Sequence, residues 1–287
     1  MQQEILQYRS GIVTFLDILG FEINLRTESA QSIYDMLQTF HHKAINGPAG
    51  LAEKYAKQYD IHILSDCIFK TLDMTHYHEE ENAALSVMQE FMFNIVSQGS
   101  LFYRHGKLLR GAITYGNFFT DGEKQILFGP AVARAFTLES KYAFYPRIYI
   151  DPCVLNVFHN VLLPQYPFGV TEGNVTTGTK DEFLTSFYSW IIKGDDGIWF
   201  LDYLRNFRLW FPDDENPCSF IRKHKVHIEN MLNMPERDLK DDHLLKYLWL
   251  AHYHNETIAK WEESGWQDNL EGFNRDELSV FIPEKYE

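Results

Sequence analysis

Over the first 150 residues, strand-like and helix-like runs follow one another in a fixed order, which limits the chain to a sheet with helices packed on it. GIVTFLDIL (11–19) reads as a strand. Ile33, Met36, Leu37 and Phe40 fall at i, i+3, i+4 and i+7, the spacing of one helical face, with Thr27 or Ser29 as N-cap. YDIHILSDCIFKTLD (59–73) reads as two extended runs meeting at Ser65-Asp66, a hairpin. A second amphipathic helix places Leu85, Met88, Phe91, Met92 and Ile95 on one face and is expected to end by Gly99. LLRGAITYGNFF and KQILFG bracket Asp121-Gly122, a two-residue hairpin signal. GPAVARAFTLESKYAF is helical with Pro130 in its first turn, and PRIYID is a short strand.

The order β-α-β-β-α-β-β-α-β predicts an α+β fold: a ferredoxin-like core, its mixed and mostly antiparallel sheet flanked by helices, with an added hairpin. After residue 151 the character changes. Loop signals cluster in PQYPFGVTEGNVTTGTKDE, SFYSWII and GIWFLDYL flank Lys193-Gly194-Asp195-Asp196 as a further hairpin, and the remainder reads as helix. The expected organisation is a core over 1–150 and an extension over 151–287, hairpin and helices, packed on that core and not independent.

A chain of 287 residues, 45% hydrophobic and 15% aromatic, can bury a core without staples. Its three cysteines have no paired spacing and MQQEILQYRS lacks a basic-then-apolar leader pattern, so the expected location is the cytoplasm. No run approaches the ~20 apolar residues of a membrane helix, which argues against direct membrane insertion. A net charge of −14 argues against nucleic acid as a partner, because that binding draws on lysine and arginine displacing counterions. An acidic protein that handles phosphates needs metal ions between.

Asp17 ends the first strand and Asp66 lies at the tip of the central hairpin, strands that neighbour each other in a ferredoxin-like sheet. Two carboxylates converging there repel each other, and divalent metal with phosphate oxygens relieves the repulsion. Gly20 then lets the turn from Ile18 to Phe21 present backbone N–H groups to phosphate while the Ile18 carbonyl touches the metal. Either aspartate alone is more often a turn former or helix cap; it is their placement together that points to metal.

Phe15-Leu16-Asp17-Ile18-Leu19-Gly20-Phe21 resembles the first metal motif of class III nucleotidyl cyclases, and IHILSDC (61–67) resembles their second. LLRGAITYG and FGPAVARAFTLE are similar to the family's next strand and helix. With YPRIYID, GDDGIWFLDYL and KYLWLAHYHN, the resemblance narrows to the pyrimidine cyclases of the bacterial anti-phage system called Pycsar. It implies conversion of UTP or CTP, UTP favoured, into the 3′,5′-cyclic monophosphate and pyrophosphate. It also implies two Mn²⁺ or Mg²⁺ ions on Asp17, Ile18 and Asp66, a homodimer with active sites at its interface, and a separate effector activated by the product. Phe15, Leu19, Gly20, Phe21, Tyr59, His62 and Arg110 are the implied nucleotide-binding positions.

The departures bear on mechanism. Where purine cyclases carry an asparagine and a transition-state arginine, this chain has Ala133 and Thr137, leaving Arg110, Arg134 and Arg147 open to the cationic role. His62 and Ile126 stand where purine-selecting side chains would be, and Tyr59 narrows a pocket against purines; His62 also reads as a satisfied sheet residue and Tyr59 as packing. The alternative is a catalytically silent cyclase-fold protein that binds nucleotide or signals by contact. His76-Tyr77-His78 and His252-Tyr253-His254 lack a second pair at zinc spacing, Glu79-Glu80-Glu81 suits a helix start, and Asp195-Asp196 suits an Asx turn.

Overall fold

The computed structural model describes residues 6–46, 59–75, 83–172, 175–209, 211, 216–234, 241–265 and 270–283. Strand β1 (Arg9–Ile18) leads through α1 (Phe21–Thr27) and α2 (Ala30–Asn46) to the hairpin β2 (Tyr59–Leu64) and β3 (Cys67–Asp73). Helix α3 (Ala83–His105), the pair β4 (Leu109–Asp121) and β5 (Ile126–Phe128), α4 (Pro130–Tyr142) and β6 (Ile148–Ile150) complete the first half. The second half contains α5 (Pro152–Val157), β7 (Thr171–Glu172), β8 (Val175–Thr176), α6 (Lys180–Ser189), β9 (Ile191–Lys193), β10 (Trp199–Leu201), α7 (Pro217–Leu232), α8 (Asp241–Glu263) and α9 (Arg275–Leu278). The expected element order is found over the first 150 residues except that two helices, α1 and α2, stand where one was expected, and the fold is α+β with an open, mostly antiparallel sheet.

The sheet runs β2-β3-β1-β4-β6-β10-β9, with β5 on the outer end of β4. Among the described residues, only β4 and β6 pair in parallel. Along β1 the side chains alternate: Ile12, Leu16 and Ile18 enter the main core, while Val13 and Phe15 face Ala131 and Ala135 of α4. Both faces of β1 are therefore covered over its middle, which is why its sequence is nearly continuously apolar. Gly111 allows β4 to lie close: a Cβ there would sit 2.4 Å from the Phe15 carbonyl oxygen.

Three local expectations change. Helix α3 continues through Gly99 to His105 and is buried on nearly every side from Ala83 to Phe102, because the sheet core, α2 and the segments 158–165 and 207–209 pack around it. The turn after Asp121 is a four-residue connection, since Asp121 still pairs with Ile126; Asp121 Oδ1 accepts the Lys124 N–H, and Gln125 takes φ 55°. Ser186–Ser189 belong to α6, so the strand before the Lys193–Asp196 turn begins at Ile191. Ser29, not Thr27, caps α2 by accepting the Ser32 N–H. The 76–78 and 79–81 runs lie outside the described residues.

Two buried polar systems tie the layers. Under the sheet, Lys70 Nζ lies 3.1 Å from Glu90 Oε2 and donates to Asn94 Oδ1, while Thr14 Oγ1 donates to Glu90 Oε1 at 2.6 Å. In the C-terminal layer, His254 Nε2 lies 2.8 Å from the Leu278 carbonyl, an acceptor only, so that nitrogen carries the proton. His254 Nδ1 is then bare and accepts from His224 Nδ1 at 2.8 Å, which leaves His224 Nε2 to accept from the Tyr203 hydroxyl at 2.7 Å. Burial keeps both imidazoles neutral, holding His254 at about 4 and His224 well below the ordinary histidine range. No helix among the described residues is long and apolar enough to cross a membrane.

Candidate active site

Asp17, Cys67 and Arg110 occupy one rung of the sheet, since Asp17 pairs with Cys67 of β3 and with Arg110 of β4. Paired residues share a face, so all three side chains rise on the α4 side. The β2–β3 turn places Asp66 beside them, with Ser65 at φ 60° and the Asp66 carbonyl accepting the Ile18 N–H at 3.3 Å. Donor atoms of Asp17, Asp66 and Cys67 all lie within 4.8 Å of one another. The two aspartates that the sequence separates by a helical crossover thus meet at one strand end.

The electrostatics of this corner are dominated by acid. Arg110 Nε donates to Asp17 Oδ2 at 2.6 Å and lies 2.9 Å from Glu139 Oε1, an ionic contact off the N–H axis. The Glu139 side chain is only 5% exposed. Burial raises the Asp17 carboxyl, an effect that Arg110 opposes and Asp66 reinforces. Burial likewise raises Glu139, against Arg110 and with Asp17. Cys67 is pushed up to about 11 by burial and the neighbouring carboxylates, so with no metal bound it is a thiol. Carboxylate oxygens without an accompanying thiolate or imidazole suit a hard divalent cation such as Mg²⁺ or Mn²⁺.

The remaining sequence candidates separate. Phe15 lies on the same face but is sealed between Phe69 and Phe136, at centroid distances of 4.6 and 5.4 Å. His62 shares that face opposite Phe69, its Nε2 3.1 Å from Thr120 Oγ1, and burial lowers its pKa. Leu19 uses its N–H on the Leu108 carbonyl, Gly20 adopts φ 75° ahead of α1, and the Phe21 side chain is buried in the core. Tyr59 is not brought to the site. It pairs with Leu72, whose side chain faces the core, and its ring packs 5.7 Å from Phe93 with Lys70 Nζ 5.3 Å away, on the opposite face of the sheet.

The three arginines left open have different environments. Arg147 is a packing residue, 3% exposed, bonded to Asp196 at 2.6 Å and surrounded by Tyr145, Phe200 and Trp249. Arg134 holds Asp151 through Nη2 at 2.9 Å and through Nε, and its side chain is half exposed. Arg110 alone touches Asp17. Ala133 and Thr137 both face solvent on α4, where Thr137 Oγ1 donates to the Ala133 carbonyl.

Two residues at the site went unnoticed in the sequence. Glu139 shares a helical face with Ala131, Ala135 and Leu138, all buried, and an acid on that apolar stripe was a readable signal. Lys246 of α8 feels the charges of Arg110, Asp17 and Glu139 and stands 5.1 Å over the Phe144 ring. Nothing in its helical sequence marks it, since the distant core brings it there.

No protein-family model and no curated protein matches this chain. Among solved structures, it is similar to the catalytic core of a rhodopsin-guanylyl cyclase with converted specificity in complex with ATPαS, at 14% identity over 68% of this chain and 96% of that one, TM-score 0.40. The guanylate cyclase domain of RhGC from Catenaria anguillulae in complex with GTP is similar at 15% identity over 54% and 85%, TM-score 0.38. The guanylyl cyclase Cya2 is similar at 12% over 68% and 92%, TM-score 0.38. At these scores the likeness decides nothing about this chain's chemistry, which rests on the site itself.

Proposed function

We propose that the chain is a nucleotide cyclase that converts a pyrimidine nucleoside triphosphate, UTP in preference to CTP, into its 3′,5′-cyclic monophosphate and pyrophosphate. The observation that carries this reading is the convergence of the Asp17 and Asp66 donor atoms within 4.8 Å at the end of β1 and β3. The motif resemblance of FLDILGF and LSD gives that convergence its expected chemistry. In this reading Asp17 and Asp66 hold two divalent ions, which lower the pKa of the ribose 3′-hydroxyl and offset the triphosphate charge.

The chain's own residues do the rest. Glu139 and Asp17 fix the Arg110 guanidinium at the same corner, and Glu139 keeps it there when ions take up the Asp17 charge. Arg110 is then the cation for the phosphate oxygens in place of the arginine missing at Thr137. His62, held by Thr120, borders the open side of the same sheet face and is the base-side candidate. Phe15, Phe69 and Phe136 exclude water beneath. Residues 1–150 serve as the catalytic core and 151–287 as an extension packed on it. The working form is a cytoplasmic homodimer with sites at its interface, and its product acts on a separate effector in anti-phage defence.

The test is incubation with each of the four ribonucleoside triphosphates and Mn²⁺, products resolved by mass spectrometry, beside Asp66→Asn. A cyclic monophosphate from UTP or CTP alone, lost in the variant, supports the reading. Metal-dependent triphosphate binding without pyrophosphate release from any of the four overturns it in favour of the silent cyclase-fold protein.

A further inference from the structure

Between the β9–β10 turn and α8 lies a cavity of about 410 Å³, within the range that small-molecule sites occupy. It shares no lining residue with the Asp17 site. One wall is aromatic: Tyr145 and Trp249 stack at 5.3 Å with planes 8° apart, and Trp249 stacks in turn on Tyr253 at 5.4 Å. Tyr145 and Trp249 are part-exposed and Tyr253 is buried, so the stack is anchored at one end and open along its side. The open side of such a stack can take a planar ring system edge to face.

The polar lining offers both hydrogen-bonding signs. Lys193 and Lys260 stand at the rim with Asp195 and Glu256, and all four are exposed. Lys260 already has Glu256 at 3.8 Å, whereas Lys193 stands 5.8 Å over the Trp199 ring. A further donor lies buried behind the floor. Arg147, 3% exposed, spends Nη2 on Asp196 and the Tyr142 carbonyl, but its Nη1 is buried with no hydrogen-bond partner. Gly194 lines the cavity without a side chain, and a Cβ there would lie 3.7 Å from that nitrogen, so the idle donor sits directly behind the floor.

We propose that this cavity is a second binding site, for a nucleoside monophosphate: the base packs against the open side of the Tyr145–Trp249 stack, ribose hydroxyls or ring N–H groups donate to Asp195 and Glu256, and the phosphate meets Lys193 and Lys260. The site requires no metal, because its cations are supplied by the chain. Its position matters because α8 serves both places: Lys246, three residues before Trp249, stands over Phe144, the neighbour of Tyr145.

The experiment is isothermal titration of the full chain with UMP and with AMP in the presence of EDTA, which silences any metal-dependent site. The expected result is binding by the wild type and equally by Asp66→Asn, weakened about tenfold or more in Lys193→Ala, a surface change that leaves the fold intact. Trp249→Leu should weaken it as well, with thermal melting used to confirm folding. No binding of either nucleotide at millimolar concentration overturns the proposal. So does binding that survives Lys193→Ala and Trp249→Leu, or binding that Asp66→Asn abolishes, which would place the nucleotide at the Asp17 corner. Because the readout is metal-free binding, its failure is distinguishable from failure of the cyclase reading.

Discussion

Acidification should destabilise this protein through the buried chain Tyr203–His224–His254–Leu278. Each bond in it fixes the next proton, and His254 cannot take a second one without losing its place: a proton on His254 Nδ1 would confront the N–H of His224. Unfolding releases His254 from about 4 to the ordinary value of 6.5. The folded pKa is depressed, so the unfolded state binds the extra proton between these values, and stability falls as pH drops from 6.5 to 4. At ~1.4 kcal/mol per pH unit, His254 alone accounts for a loss of about 3 kcal/mol, a large share of a typical domain's stability. His224 acts in the same direction. Buried Asp202, whose carboxyl is raised, acts in the opposite one, so the histidine contribution must be isolated. Urea unfolding from pH 7 to 4.5 should give a stability slope in wild type that His254→Gln reduces by about one proton. Imidazole ¹⁵N shifts should report Nε2–H for His254 and Nδ1–H for His224. Equal slopes in wild type and variant, or the reverse tautomers, would refute the argument.

Three further outcomes are expected. Lys70→Met strands the Glu90 carboxylate among buried groups and should cost ~3–5 kcal/mol, while Lys70→Met with Glu90→Gln, which keeps an acceptor for Thr14 and Asn94, should recover most of it; a harmless single variant would contradict this. Gly111→Ala should destabilise by ~1–3 kcal/mol in chemical denaturation, because its Cβ meets the Phe15 carbonyl oxygen at 2.4 Å beside the Asp17–Arg110 rung. Under the cyclase reading, Lys246→Gln should raise the KM for triphosphate several-fold and Lys246→Arg should restore it. Unchanged kinetics in Lys246→Gln would remove the extension from the chemistry.

The sheet order of the first half was legible because each strand was bounded by a strong local signal: the Ser65-Asp66 turn, Pro130 at a helix start, and Gly20 after an apolar run. The meeting of Asp17 with Asp66 followed from that order alone. What could not be read is how layers stack. Helix α3 looks amphipathic by itself, yet α2 and the segments 158–165 and 207–209 cover its other sides, and long-range packing also delivers Lys246 to the acidic corner. Tyr59 illustrates the period-two rule: pairing with Leu72 sends its ring to the opposite face from His62, three residues on, and only the observed register reveals which face is which.

The joint between β6 and β10 bears on where this chain can be cut. Ile148, Tyr149 and Ile150 are all buried, and on the side away from β4 their strand is completed by Phe200 opposite Tyr149. A fragment ending at 150 would carry a bare, apolar edge, the kind of surface on which strands of neighbouring copies add to one another. Such a fragment should precipitate on expression, and supplying 151–287 as a separate chain should rescue it, turning the two halves into a fragment-complementation pair whose reassembly reports on that one strand joint.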